Sequence, residues 1–360
     1  MIRLPGLFDP HVHLREPGGE HKEDFDTGTA AALAGGFTAV LAMPNTRPPV
    51  VDDATLSRAL AAARAKARCD YGLFMGGGTD NAAGAARLAQ RACGLKLYLD
   101  QTFGPLRLDD LASIYAHVRS WPASRPLAVH AEGRSLAAAL FLAAVAGRSI
   151  HVCHVSRRDE ILLIRAAKER GFAVTCEVAP HHLLFTAADF SHLPAGRREV
   201  RPRLNEPEDR EALWENLSVI DAFATDHAPH TAAEKDGPEP PPGFPGLETA
   251  VGLLWMAIAD GRLTVDGLTE RMAAGPRRIF GFQVDGETWI EVDEHSTWEV
   301  RAEEMHSRCG WTPYEGLRLP ARVRQVTLRG QLAYEAGRVL AAPGSGRDLA
   351  PGAIREKGST

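Results

Sequence analysis

Short apolar runs alternate with longer, Ala-rich stretches of helical character along most of the chain. After an initial strand near Leu4–Phe8, Phe37–Ala42 reads as a buried strand and Ala54–Lys66 as the helix that follows it. Tyr71–Gly76, a helix near Asn81–Arg91, and Gly94–Leu99 continue the alternation. So do Leu127–His130 before the helix Ser135–Ala146, and Ile150–Val155 before Arg158–Arg170. Phe172–Val178 and Val219–Thr225 supply two more strands. Strands alternating with helices of this length make βα units and a parallel sheet. Their number is close to eight, which favours a closed (β/α)8 TIM barrel over an open doubly wound sheet.

The stretch Asp236–Pro245 carries five prolines and must be a loop. After about Asp285 the pattern changes to short β-like pieces, Trp289–Val292, Arg322–Leu328 and Gln331–Glu335. The expected division is therefore a barrel at residues 1–284 and a C-terminal segment at 285–360. Together with the N-terminus, that segment forms a small β appendage on the barrel. No internal repeat of fixed period is present.

Composition narrows this picture. A chain of 360 residues, 44% hydrophobic and 24% charged, can bury a large core as a single barrel. Its net charge of −5 and scattered basic residues do not suggest a nucleic-acid surface. Five dispersed cysteines favour reduced thiols in a cytoplasmic protein over a disulfide framework. No apolar run approaches the roughly 20 residues that span a bilayer, and the first residues do not form a signal peptide. The chain starts almost directly on its first motif, as expected of a domain cut from a longer polypeptide.

Polar residues with chemical potential fall at the C-terminal ends of the strands, where barrel enzymes build their sites. His11 and His13 stand at i and i+2 of a strand end, so both imidazoles project to one side and can reach one cation. Lys96, in an otherwise apolar run, is either a snorkelling lysine or a buried amine able to add carbon dioxide and bridge two metals as a carbamate. His130, His154 and Asp226 close later strands. Singly, each histidine reads as a hydrogen-bonded core residue. Convergence from strands one, four, five, six and eight points instead to a binuclear metal site. Cys153 and Glu177 read either as a buried thiol and carboxylate beside that site or as ligands of a further zinc.

The stretches LPGLFDPHVHLREPGGEHKEDF, AMPNTRPP, GLKLYL, HVCHVSR, VTCEVAPHHL, ATDHAPHT and PPPGFPGLET resemble the dihydroorotases of the amidohydrolase superfamily, in particular the dihydroorotase domain of the animal multifunctional protein CAD. The motifs run from the first strand past the eighth and are highly specific in combination. This resemblance implies that His11, His13, carboxylated Lys96 and Asp226 hold one zinc, and that Lys96, His130 and His154 hold a second. It places a third zinc at Cys153 and Glu177. Arg15, Asn45 and His230 resemble residues that hold the substrate carboxylate; Arg201 and Pro242 resemble others lining the ring pocket. Thr102 and Phe103 resemble a mobile loop that closes over the site, although Asp100 and Gln101 before it differ from the animal sequences.

The implied reaction is the reversible cyclisation of N-carbamoyl-L-aspartate to L-dihydroorotate plus water, in the de novo synthesis of pyrimidines. A ring amide resists attack, so two metals supply an acidified bridging water and a Lewis acid. Asp226, the catalytic acid/base, takes the proton and passes it to the departing nitrogen. Arg15 provides the bidentate cation that an anionic substrate needs, unless it only pairs at the surface with Glu16 or Glu20. Asn45 either binds substrate or caps the turn Pro44-Asn45-Thr46. The implied partners are a second copy of the chain, as a homodimer, and fused or associated carbamoyl-phosphate synthetase and aspartate transcarbamoylase. Neither nucleic acid nor a membrane is expected.

Gly76-Gly77-Gly78 lacks the lysine or serine of a phosphate cradle and reads as a strand-to-helix turn. His181 and His182 follow Pro180 and shape a loop, while His117, His192, His295 and His306 read as surface residues. Two alternatives remain. Allantoinases, hydantoinases and dihydropyrimidinases share the metal logic but lack a ring carboxylate for Arg15, Asn45 and His230. A catalytically dead scaffold relative would typically have lost metal ligands, and every ligand position here is filled.

Overall fold

The computed structural model describes residues 1–283 and 286–350. Eight parallel strands follow one another in chain order: Leu7–Val12, Phe37–Ala42, Asp70–Gly76, Gly94–Tyr98, Leu127–His130, Ile150–Val152, Val174–Val178 and Ala222–Phe223. A parallel bridge between Val12 and His227 joins the eighth strand region to the first, and the His13 amide donates to the His227 carbonyl at 2.7 Å. The architecture is the TIM barrel expected from the alternation. Its first, second and fourth strands are buried along their whole length, as strands covered on both faces must be.

The crossover helices form where local chemistry starts them. Asp24 and Asp52 cap Phe25–Ala34 and Asp53–Lys66, accepting from the Thr27 and Thr55 amides at 2.9 and 2.8 Å. The helices Arg134–Val145 and Arg158–Glu169 agree with expectation to within a residue at each end. The helix expected near Asn81–Arg91 is broken into Ala82–Arg87 and a single 3₁₀ turn, Ala89–Arg91. No helix among the described residues is long and apolar enough to cross a membrane.

Three strand expectations need correction, the sixth strand ending at Val152 instead of Val155. The initial run divides at Gly6, where a side chain would collide with Thr38 and Thr288. Ile2–Pro5 leaves the barrel, and Leu7–Val12 enters it. The eighth strand shrinks from Val219–Thr225 to Ala222–Phe223, because Leu217–Val219 turns as a 3₁₀ helix. Beyond Phe223, the Thr225 amide and hydroxyl turn to the Asp9 carboxylate instead of a ladder.

Outside the barrel, Ile2–Pro5 pairs antiparallel with Trp289–Asp293, and Arg322–Leu328, Gln331–Glu335 and Arg338–Val339 complete a five-stranded sheet. The small β appendage is thus built from both chain ends. The boundary drawn at 284/285 and the last ten residues of the C-terminal segment, 351–360, lie outside the described residues.

Candidate active site

Strand alternation sends Lys96, Ala128 and His130 to neighbouring positions, since Lys96 pairs with Ala128 and Tyr98 with His130 in the ladder. His11, His13, His130, His154 and Asp226 line one cavity with Arg15, Asn45, Thr102, Phe103, Arg201 and Pro242. Three of these residues hold positive φ without being glycine: Arg15 at 61°, His154 at 33° and Asp226 at 48°. Such conformations cost about 1–3 kcal/mol each, and they concentrate here, where the chain leaves its strands to aim side chains inward.

Hydrogen bonds assign the imidazole protons. The Asn45 amide nitrogen donates to the Phe103 carbonyl at 2.9 Å, so its oxygen must be the atom 2.7 Å from His13 Nδ1. His13 therefore donates from Nδ1 and leaves a lone pair on Nε2, 3.2 Å from Asp226 Oδ1. His11 is arranged alike: Nδ1 donates to Glu177 at 2.5 Å, and Nε2 faces Asp226 Oδ1 at 3.4 Å. His130 donates from Nε2 to Glu132 at 3.1 Å, which turns its Nδ1 lone pair toward His154 Nε2 at 2.9 Å. Burial lowers the His11 imidazole to about 4 and holds His13 and His154 well below the usual range, so these rings are neutral. Lone pairs directed at a carboxylate oxygen are acceptors facing an acceptor; a cation between them satisfies the arrangement, as does a proton on Asp226, whose carboxyl burial raises.

Deeper in the barrel, Lys96 is fully buried with Nζ 2.8 Å from Cys153 Sγ. Burial would raise the Glu177 carboxyl, but His11 and His151 outweigh it and hold it below the ordinary carboxylate range. Burial pushes the Cys153 thiol up. His11, His13 and Asp226 form one potential ligand group and His11, Cys153 and Glu177 another, with ligand atoms within 4.8 Å in each. These groups fall at the first and third of the three positions the resemblance implies; His130 and His154 are in neither group.

The opposite wall is cationic. Arg15 is buried rather than paired with a surface glutamate; its Nε donates to the Pro229 carbonyl at 2.9 Å. His230 lies behind it, fully buried, 2.9 Å from the guanidinium and 3.1 Å from the Pro242 carbonyl. Asn45 does not merely cap a turn, since its two amide atoms tie His13 to Phe103. The Phe103 ring packs edge-on against His230 at 4.9 Å, with Arg15, Lys22 and Arg47 around it. Half-buried Arg201 reaches the rim, bonded to Glu199 at 2.8 Å.

Other residues depart from expectation. His151 was overlooked, yet it bonds Glu177 at 3.0 Å and Thr175 at 2.9 Å. Its signal was available: His151 on one strand and Cys153 just beyond it are spaced at i and i+2, as Thr175 and Glu177 are on the next. His117 is buried, not exposed, because its helix turns it over the Gly76-Gly77-Gly78 turn to bond the Gly78 carbonyl at 2.8 Å. His306 is half-buried against Glu248 at 3.0 Å. His182 bonds the Pro202 carbonyl at 3.1 Å within a short helix, Pro180–Leu184, where a loop was expected.

A dihydro-orotase-like family profile matches residues 1–88. The dihydroorotase of Pyrococcus furiosus is 32% identical over 98% of this chain and 86% of its own length. The chain belongs to the dihydroorotase family. The multifunctional protein CAD of Squalus acanthias is 50% identical over 97% of the chain, which spans only 16% of that protein's length. Among solved structures, the L-hydantoinase of Arthrobacter aurescens superposes with a TM-score of 0.91 at 23% identity, covering 97% of this chain and 89% of that one. An inactive dihydroorotase-like domain of the Chaetomium thermophilum CAD-like protein superposes at 0.84 with 29% identity, covering 97% and 99%.

Proposed function

We propose that this protein is a zinc-dependent dihydroorotase that interconverts N-carbamoyl-L-aspartate and L-dihydroorotate in pyrimidine synthesis. The observation that carries the reading is the meeting, in one cavity, of lone pairs from His11 and His13 on Asp226 with the buried guanidinium of Arg15. The donor set fits divalent metal: neutral imidazoles, carboxylate oxygens and no competing ammonium except Lys96, which carboxylation would convert into a bridging ligand. His11, His13, Lys96 and Asp226 would hold one zinc, Lys96, His130 and His154 the second, and Cys153 with Glu177 a third beside His11. When bound, such ions supply a Lewis acid and water that ionises near neutral pH.

The remaining work falls to the chain. Arg15, Asn45 and His230 anchor the substrate carboxylate and place the ring with its amide toward Asp226. Arg201 and Pro242 bound the ring. Asp226, aimed into the cavity by its left-handed backbone, accepts the proton of the attacking water and returns it to the leaving nitrogen. Thr102 and Phe103 cover the site and exclude bulk water. Every position of the proposed metal set is filled, which argues against an inactive domain; the cationic wall argues against neutral-ring substrates. Residues 1–284 would constitute the catalytic barrel and 285–360 the segment packed on it. A cytoplasmic homodimer, fused to or associated with carbamoyl-phosphate synthetase and aspartate transcarbamoylase, completes the proposal.

Metal analysis of the purified protein, paired with assays on dihydroorotate, dihydrouracil and allantoin, tests the reading. Two or three zinc ions per chain and selective turnover of dihydroorotate are expected. Preference for either neutral substrate would overturn it.

A further inference from the structure

Lys22 belongs to neither the ligand set nor the substrate set, yet it is buried, with its ammonium 3.1 Å from His230 Nδ1 and 2.7 Å from Glu234 Oε1. His230 therefore has a cationic donor at each ring nitrogen: Lys22 at Nδ1 and Arg15 at Nε2, 2.9 Å away. Burial, then the charges of Arg15 and Lys22, hold this imidazole well below its usual range, so the ring is neutral and carries one proton. Two placements of that proton compete. On Nδ1 it would point at the ammonium and leave the Pro242 carbonyl without its donor. On Nε2 it donates to Pro242, 3.1 Å away, while Nδ1 accepts from Lys22. The second placement satisfies two hydrogen bonds where the first satisfies one.

The second placement leaves an Arg15 N–H facing an Nε2–H that is already given to the Pro242 carbonyl, so the guanidinium has no acceptor in that contact. A carboxylate oxygen resolves that contact. We propose that Lys22 is a positioning residue for the reaction: it pins the His230 proton on Nε2, where the Pro242 carbonyl holds it in the free site and a substrate carboxylate oxygen seated beside Arg15 shares it. The inference deepens the proposed function and rests on its assignment of that carboxylate to Arg15, Asn45 and His230.

The surroundings hold this arrangement from both sides. Glu234, which anchors the ammonium, also caps its own short helix, Ala232–Lys235, by accepting from the Thr231 amide at 3.0 Å. The adjacent Lys235 is fully buried and donates to the carbonyls of Glu199, Pro241 and Gly243 at 2.7, 2.9 and 3.3 Å. It thereby fixes the segment whose Pro242 carbonyl takes the Nε2 proton. Trp311 donates to the His230 carbonyl at 2.6 Å and holds the backbone. One two-residue step, Glu234-Lys235, thus constrains the partners of both imidazole nitrogens.

The test combines nitrogen-15 spectra of the histidine-labelled, metal-loaded enzyme with steady-state kinetics, His230→Asn identifying the His230 signals. The wild-type ring is expected to be protonated on Nε2, and K22M to shift it toward a mixture of tautomers. K22M should raise KM for dihydroorotate about tenfold or more while kcat stays within about threefold, and K22R should remain close to wild type. If K22M does not fold, E234Q, which releases the ammonium, is read for the same KM rise. A wild-type ring protonated on Nδ1, or an unchanged KM in the folded variant, overturns the assignment. A wild-type enzyme inactive on dihydroorotate would defeat the proposed substrate instead, and the tautomer spectra would then decide the role of Lys22 alone.

Discussion

The two walls of the cavity are built differently. On one side His11, His130, Cys153 and Glu177 stand on or directly beyond barrel strands, where ladder register sets their spacing before any side chain interacts. On the other, Arg15, Asn45, Phe103, Arg201, His230 and Pro242 lie on loops, held by bonds between segments up to 215 residues apart. Strands deliver atoms to fixed points, which a metal cluster requires. Loops deliver a shape that can be exchanged without disturbing the barrel, which substrate choice requires.

Substitutions can break the comparison. On the strand side, Asp226→Ala should lower kcat on dihydroorotate by about 10³-fold or more while leaving the melting temperature nearly unchanged; the upper range for a lost acid/base group is about 10⁴. Residual activity near wild type would remove Asp226 from the mechanism. On the loop side, Arg15→Met should raise KM for dihydroorotate by roughly 10- to 100-fold, the loss expected for hydrogen bonds to a charged group, without reducing metal content. Were metal lost as well, the two walls would not be independent.

Cys153→Ser separates the deeper metal group from the upper one. Metal content should fall by one ion per chain in plasma emission analysis, with kcat changed less than about tenfold, because Asp226 and its histidines are untouched. Unaltered stoichiometry would mean that no third ion binds there.

The smallest effect concerns the loop wall alone. Burial raises the Glu234 carboxyl, but Lys22 and the Thr231 amide outweigh it and hold the group at about 2. A depressed folded value adds stability above the unfolded value, near 4.5, and that contribution is lost as pH falls toward 2. Because Glu234 is partly solvated, the effect is about 1 kcal/mol or less. Denaturant titrations of wild type and Glu234→Gln should therefore differ at pH 6, with the difference shrinking below pH 4.5 and vanishing only below about pH 2.

Much of the strand wall was legible in the chain. The spacing of His11 and His13, and the placement of Lys96, His130, His154 and Asp226 after apolar runs, put each near a strand end. His151 was equally legible, because it shares the alternation of Cys153, but its own pair with Glu177 emerged only when the strands were aligned. The loop wall was read through resemblance and only in part. Lys22 gave no signal, since its partners His230 and Glu234 lie more than 200 residues away. His117 misled because helical position alone does not reveal that a glycine turn opens space beneath it.

By itself the sequence determined the barrel, the β pieces at its margin and the end of the barrel where chemistry gathers, because hydrophobic period and strand direction are local properties of a chain. Only the tertiary structure decided which imidazole nitrogens present lone pairs, that Arg15 is buried beside His230, and that Lys22 stands behind both. Those facts depend on hydrogen-bond partners brought together by closure of the barrel, and no local pattern records them.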